Sequence, residues 1–98
     1  MTHRYYSEYV THCLRFYARH ENPVFRTDVD KHNWEACDRA IKSFSPFEQQ
    51  MLLFIFRERD TLEDNIYQLA RARCVSQKYI WELAGKLERQ VANERGLL

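Results

Sequence analysis

The chain has 98 residues, enough for one compact domain with a modest core and too few for two independently folding domains. With 45% hydrophobic and 30% charged residues but only two glycines and two prolines, the composition is typical of a helical globular protein and excludes a disordered or repeat-built chain. The formal net charge is +1, and only the C-terminal third is mildly basic. No segment approaches the roughly 18 apolar residues of a membrane span, and the N-terminus lacks the apolar run of a signal peptide, so we expect a cytoplasmic protein.

Two helices are predicted in the first half of the chain. Between residues 4 and 20, apolar side chains recur at intervals of three and four residues, the spacing of a helix with one buried face. Asn22-Pro23 ends this helix, because proline cannot donate to the preceding turn. A second periodic set predicts a helix over about residues 28 to 43, with Thr27 or Asp28 as its N-cap. The first helix carries an aromatic cluster, which we interpret as core and rim and not as a base-stacking platform: Tyr5, Tyr6, Tyr9, Phe16 and Tyr17.

Ser45-Pro46-Phe47-Glu48 is the clearest helix start in the chain. It combines a capping serine, a proline at the first helical position and a glutamate that can bond back to the cap. The following run from Met51 to Phe56 is apolar on every side and predicts a central helix surrounded by the others. Thr61 and Asp64 repeat the capping spacing and predict a further, short helix.

The last predicted helix follows a short turn. The short helix is followed by Cys74, Val75 and Ser76. A long helix comes next, and its apolar stripe ends near Val91. Ser76 is suited to cap this helix, and Gly96 can end it in a left-handed conformation. Two helices joined by three or four residues match the helix-turn-helix pattern.

Together these elements predict an all-α fold of about five helices in one domain, residues 1–98, composed of an N-terminal helical pair (1–43) and a C-terminal helix-turn-helix module (44–98). Over about residues 44–96 the sequence resembles region 4 of the bacterial sigma-70 family, its promoter-reading module. The stretch SFSPFEQQMLLFIF is similar to the helix that leads into the family's motif, IYQLARARCVS to the scaffold helix and turn, and QKYIWELAGKLERQV to the recognition helix. The layout also resembles small phage and mobile-element proteins of Firmicutes. In this resemblance Cys74 stands at the turn position that glycine usually holds.

A helix-turn-helix of this type meets DNA with the first turn of its second helix. If the apolar stripe of the second helix faces the core, the rotation of about 100° per residue places the residues opposite the stripe on the outer face. The predicted base-reading residues are Gln77, Lys78, Trp81 and Glu82. The predicted phosphate contacts are Arg71, Arg73, Lys86 and Arg89. Charged residues opposite an apolar stripe are also what a solvated helix shows, and both interpretations stay open for these cations.

Trp81 is the residue that a solvated helix face explains least. It lies off the apolar stripe and would expose a large apolar area, which marks a contact surface. The contact could be a protein partner, a second copy of the chain, the N-terminal helix or DNA. Gly85, one turn further on, costs about 1 kcal/mol in a helix interior and would permit close approach of any of these.

Other kinds of site find little support in the sequence. Cys13, Cys37 and Cys74 are odd in number and lack C-x-x-C spacing, so we expect buried thiols and no metal site. No glycine-rich phosphate loop, nucleophile motif or carboxylate pair indicates an enzyme, and no cofactor is expected. The leading hypothesis is a transcription regulator that binds double-stranded DNA. The alternative is an adaptor that binds RNA polymerase, another regulator or itself as a homodimer, and the salt dependence of DNA binding separates the two.

Overall fold

The chain is described by a computed structural model that covers residues 6–97. Within that range it forms five α-helices and no strand, which confirms the predicted all-α class. The helices are α1 (Ser7–Arg19), α2 (Asp28–Ile41), α3 (Pro46–Arg57), α4 (Leu62–Arg73) and α5 (Gln77–Glu94). The predicted start of the first helix at residue 4, and Tyr5 of the aromatic cluster, lie outside the described residues.

Side-chain caps set the beginnings of four helices, which is why their starts were readable in the sequence. Each capping oxygen accepts a backbone N–H three residues on, at 3.1 to 3.2 Å, and the caps are Thr27, Ser45, Thr61 and Ser76. Ser45 forms the full capping box, because the Glu48 carboxylate also accepts the Ser45 backbone N–H at 3.1 Å. Each cap satisfies an N–H group that the helix itself leaves without a partner.

α3 is the centre of the fold and packs against α1, α4 and α5. Met51, Leu52, Ile55 and Phe56 are fully or almost fully buried, and they belong to one core that contains residues from all five helices. A helix that is apolar on every side can lower its exposure to water only if other helices cover most of it. The run from Met51 to Phe56, which is apolar on every side, therefore lies in a central helix, as the sequence predicted.

The aromatic residues of α1 form part of the core and its rim, as interpreted from the sequence. Tyr6 is buried, and half-buried Tyr17 packs its ring 5.1 Å from that of Trp34. The Tyr17 hydroxyl donates to the Asp38 carboxylate at 2.7 Å, and burial followed by this hydrogen bond raises the pKa of Tyr17. Tyr9 is exposed, but its hydroxyl accepts a hydrogen bond from α2. These contacts hold α1 against α2.

Asn33 of α2 is buried, and its side-chain hydrogen bonds connect α2 to α1 and to the segment after α5. Its amide N–H donates to the Tyr9 hydroxyl at 2.8 Å. Its carbonyl oxygen accepts from Arg95 Nε at 2.7 Å, just beyond the end of α5. Because a buried amide is costly without partners, this arrangement favours the one packing in which α1, α2 and the C-terminus meet.

A cluster of backbone carbonyls lies between α3 and α4 and is satisfied by side chains from two helices. The amide N–H groups of Asn65, a residue only 1% exposed, donate to the carbonyls of Ile55, Glu58 and Asp60 at 2.9, 3.2 and 3.2 Å. Arg15 of α1 donates to the carbonyls of Glu58 and Asp60 at 3.1 and 3.3 Å. The last carbonyls of a helix have no partner within it, so these donors fix how α3 ends.

We expect Asn65→Ala to lower the free energy of unfolding by about 1 to 3 kcal/mol, because it removes the amide donor from the buried Ile55 carbonyl, whereas the carbonyls of Glu58 and Asp60 keep Arg15 as a donor. Urea unfolding measures the change. Asn93→Ala is the matched control, since Asn93 is an exposed asparagine on α5. Equal stability changes in the two variants would show that the carbonyl cluster does not depend on Asn65.

Candidate nucleic-acid interface

α4 and α5 are joined by three residues whose conformation is fixed by local hydrogen bonds. Cys74 has a φ of 54° and a ψ of 41°, in the left-handed region, and its N–H donates to the carbonyl of Ala70. The N–H of Val75 reaches the same carbonyl at 3.2 Å, and the half-buried Val75 side chain packs on the core. Ser76 then caps α5. Cys74 therefore occupies the turn position at which glycine is the usual residue.

The expectation of buried thiols is correct for Cys13 and Cys37 and wrong for Cys74. Cys13 and Cys37 are 2% and 0% exposed, and burial raises the pKa of both thiols. Cys74 is exposed, because it lies in a surface turn and not on the inner face of either helix. Two of the three thiols are thus part of the core, and the third marks the turn.

We expect Cys74→Gly to raise the free energy of unfolding by about 0.5 to 1 kcal/mol. Glycine adopts the left-handed conformation without the Cβ clash, and its greater chain entropy in the unfolded state offsets part of that gain. Urea unfolding again measures the effect. Cys74→Ala is the matched control, because it removes the thiol and keeps the Cβ, so its stability should stay close to that of the native chain. A glycine variant no more stable than the alanine variant would contradict backbone strain at this turn.

Three of the four predicted base-reading residues lie on an open face of α5. Gln77, Lys78 and Glu82 are exposed, in the first two turns of the helix. Lys78, Glu82 and exposed Arg89 point the same way, because a rotation of about 100° per residue brings these positions within roughly 40° of one another. The structure therefore brings together an ammonium, a carboxylate and a guanidinium on one accessible face of α5, while the exposed Gln77 amide stands at the N-terminal end of the helix, about 100° around the axis from Lys78.

Trp81 does not stand on this open face, which corrects the predicted outward orientation. Its side chain is half-buried and packs against the core. It lines a groove together with Ser7 and Thr11 of α1 and Leu62 of α4. The periodicity of α5 alone placed Trp81 outside the apolar stripe, but α1 packs against α5 and borders the groove that the indole lines. The N-terminal helix thus borders the groove at Trp81, and part of the indole stays exposed.

All four predicted phosphate-contacting residues are exposed, and aromatic rings position three of them. The charged groups lie 5.7, 5.9 and 5.8 Å from ring centroids in the pairs Arg71 with Tyr67, Arg73 with Phe47, and Lys86 with Phe44. Such cation–π contacts contribute about 0.5 to 1 kcal/mol at exposed sites. They leave the cations at the surface while restricting where each one points.

A hydrogen bond that no local sequence pattern indicates connects α5 to α3. The Tyr79 hydroxyl donates to the Glu48 carboxylate at 3.0 Å, in the capping box that begins α3. The hydrogen bond from the Ser45 backbone and then that from Tyr79 lower the pKa of Glu48. The capping role of Glu48 was readable from its neighbours, but a partner 31 residues away gives no local signal.

We expect Glu48→Gln to reduce stability near neutral pH and to have little effect in acid. The folded-state pKa of Glu48 lies below its ordinary value of 4.5, so its contribution is complete above that value and is lost as the pH falls through the lower, folded-state pKa. Urea unfolding from about pH 7 to about pH 3 should therefore show the two proteins converging. Tyr79→Phe, which removes one donor and keeps the carboxylate, should show a smaller difference of the same sign. A difference that stays constant over this range would contradict the assignment.

Two kinds of feature are absent from the part of the chain that the structure describes. None of the helices between residues 6 and 97 is long and apolar enough to span a membrane. No three histidine, cysteine, aspartate or glutamate side chains in that range are grouped so that they could hold a metal ion.

Comparisons with models of protein families, with curated proteins and with solved structures gave no match. The resemblance to region 4 of the sigma-70 family accordingly stays a prediction from the sequence. What the chain does has to be argued from its own surfaces.

Proposed function

We propose that the chain binds double-stranded DNA through a helix-turn-helix formed by α4, residues 74–76 and α5, and regulates transcription by this binding. The observation that carries the proposal is the exposure of Gln77, Lys78 and Glu82 at the capped start of α5, directly after a three-residue turn. In helix-turn-helix proteins this part of the second helix enters the major groove and meets the base edges.

The three exposed side chains have complementary partners in the major groove. The Gln77 amide can pair with adenine, the Lys78 ammonium can donate to guanine, and the Glu82 carboxylate can accept from the cytosine amine. Trp81 is left out of the proposed reading surface, because its half-buried ring packs against the core. The proposed readers therefore number three and not the four that the sequence indicated.

The exposed cations around the turn are proposed to bind phosphates and set the register on the duplex. Arg71 and Arg73 lie at the end of α4, immediately before the turn, and Arg89 lies on the same outward face of α5 as Lys78. Lys86 is the weakest of the four, because the nearby Glu48 carboxylate attracts the same ammonium. The local positive charge around the turn explains how a chain with a net charge of only +1 can still attract DNA.

We expect binding to a labelled, mixed-sequence duplex to weaken roughly 100-fold between about 50 mM and about 200 mM salt, because about four phosphate contacts give a logarithmic slope near −3.6. Fluorescence anisotropy measures the dissociation constant at each salt concentration. Absence of binding at the lower salt concentration, or binding that salt leaves unchanged, would contradict the proposal.

We expect Gln77→Ala combined with Lys78→Ala to weaken binding to a selected site by about 1 to 3 kcal/mol for each base-specific hydrogen-bonding side chain that is removed. Anisotropy measures the weakening, and thermal unfolding checks that the fold is kept. Asn22→Ala combined with Lys31→Ala is the matched control, since it removes an exposed amide and an exposed ammonium from outside α4 and α5. Equal weakening in the control, or unchanged binding in the test variant, would remove the two residues from the reading surface.

A second candidate function is a protein-interaction adaptor that binds RNA polymerase, another regulator or a second copy of the chain. The low net charge and the position of Trp81 at a groove favour it. The same anisotropy experiment separates the two functions, because an adaptor without phosphate contacts has no affinity for the mixed-sequence duplex even at low salt.

A further inference from the structure

A groove of about 370 Å³ lies between α1, the start of α4 and one flank of α5. Its apolar part is formed by buried Phe56 and Ala84 together with half-buried Leu62 and Trp81. The indole of Trp81 is the largest side chain that borders the groove, and it is half-buried. The groove therefore offers an aromatic surface beside a small apolar floor.

Carboxylates from three helices line the same groove: Glu8 of α1, Glu63 of α4 and Glu88 of α5. Glu63 is exposed, and Glu88 is half-buried and accepts a hydrogen bond from the Ser7 hydroxyl. None of the described residues that line the groove is a lysine, arginine or histidine, and the Arg89 guanidinium lies at its edge, 3.6 Å from the position of a Cβ on Gly85. Since charges close to apolar walls are screened less than in bulk water, the groove attracts cations.

Gly85 borders the groove one turn after Trp81, and the packing of the chain does not require a glycine there. A Cβ at Gly85 would meet only the Arg89 guanidinium, at 3.6 Å, which is an ordinary contact with a flexible side chain. Glycine is unfavourable in a helix interior, yet this one keeps the helix surface open beside the indole. The missing side chain leaves room for a group that approaches from outside the chain.

We propose that this groove binds an arginine side chain carried by a segment of another protein. A guanidinium can stack on the Trp81 indole while it donates to the carboxylates of Glu63 and Glu88. The aliphatic stem of an arginine would cover the apolar floor that water now contacts. A groove of this volume has room for one long side chain and the backbone beside it, near the lower limit for binding pockets.

A second copy of the chain is a poorer occupant than an arginine-bearing partner. In a two-fold dimer through this groove, the same surface of each copy would face its own image. The carboxylates of Glu8, Glu63 and Glu88 would then oppose one another, which charge repulsion disfavours. Charge complementarity therefore selects a basic partner.

The groove and the proposed DNA-binding face adjoin each other on α5, because Gly85, which borders the groove, lies within about 20° of Lys78 around the helix axis. Trp81 and Glu88 lie about a quarter of a turn around the helix from Lys78, Glu82 and Arg89. The inference stands independently of the proposed DNA binding, and its failure would leave that proposal untouched.

The test uses the full chain labelled with ¹⁵N and a capped peptide, acetyl-Gly-Leu-Arg-Leu-Gly-amide, as the probe. The chain has two indole N–H signals, from Trp34 and Trp81. The Trp34 indole N–H already donates to the His20 carbonyl at 3.1 Å, away from the groove, and serves as the internal reference. We expect a saturable shift of the Trp81 signal only. The same peptide with citrulline in place of arginine, which has the same shape and no charge, should produce no saturable shift.

Two variants sharpen the test. Glu63→Gln combined with Glu88→Gln should weaken binding of the arginine peptide roughly tenfold or more, and the amide at position 88 can still accept from Ser7. Gly85→Leu should abolish the shift by filling the groove. Glu21→Gln combined with Glu35→Gln is the matched control, because it removes two charges from elsewhere on the chain and should keep the affinity.

Four results would overturn the proposal. The first is no shift of Trp81 at millimolar arginine peptide, and the second is an equal shift with the citrulline peptide. The third is an equal loss of affinity in the control double variant. The fourth is a Trp81 shift that depends on protein concentration without any peptide, which would make a second copy of the chain the occupant.

Discussion

The fold depends on how the carbonyls at the end of α3 are satisfied. Because α3 is apolar on every side and packs against three helices, its last carbonyls need donors from neighbouring elements. Asn65 turns its amide N–H groups to the Ile55 carbonyl of α3 and to the carbonyls of Glu58 and Asp60 that follow it, although its own carbonyl oxygen has no hydrogen-bond partner among the described residues. At roughly 1 kcal/mol net for each hydrogen bond, several satisfied carbonyls outweigh one unsatisfied acceptor. Arg15 joins them although burial, followed by the nearby charge of Arg19, lowers its pKa.

A hydrogen bond at the N-terminal end of α3 positions the start of α5. The Tyr79 hydroxyl bonds to Glu48 in the capping box, so the first turn of α5 is held against the first turn of α3. Between α4 and α5 the chain changes direction within three residues, and Cys74 adopts a left-handed conformation there. Its strain, of about 1 kcal/mol, is tolerated because the Ala70 carbonyl accepts two N–H groups there and Val75 is anchored in the core. The exposed face of α5 is thereby presented on a rigid support.

The net charge of +1 conceals two surfaces of opposite sign. Cations lie on both sides of the turn, whereas Glu8, Glu63 and Glu88 surround the groove on the neighbouring flank of α5. Summed over the chain these charges nearly cancel, but a partner at either surface meets mainly the local sign, because salt screens charges more than about 10 Å away. One helix therefore carries both proposed contacts, a duplex on its outward face and a basic protein segment on the adjoining flank.

The sequence by itself determined the helices, because their signals are local. The caps at Thr27, Ser45, Thr61 and Ser76 act across three residues, and the apolar spacing within each helix shows which face is buried. Gln77, Lys78 and Glu82 were placed correctly on an exposed surface for the same reason. Only the tertiary structure decided that Trp81 lies beside α1, that Asn65 ends α3 and that Cys74 is exposed. Each of these depends on which helix packs against which, and that arrangement is set by contacts between distant parts of the chain that no local spacing encodes.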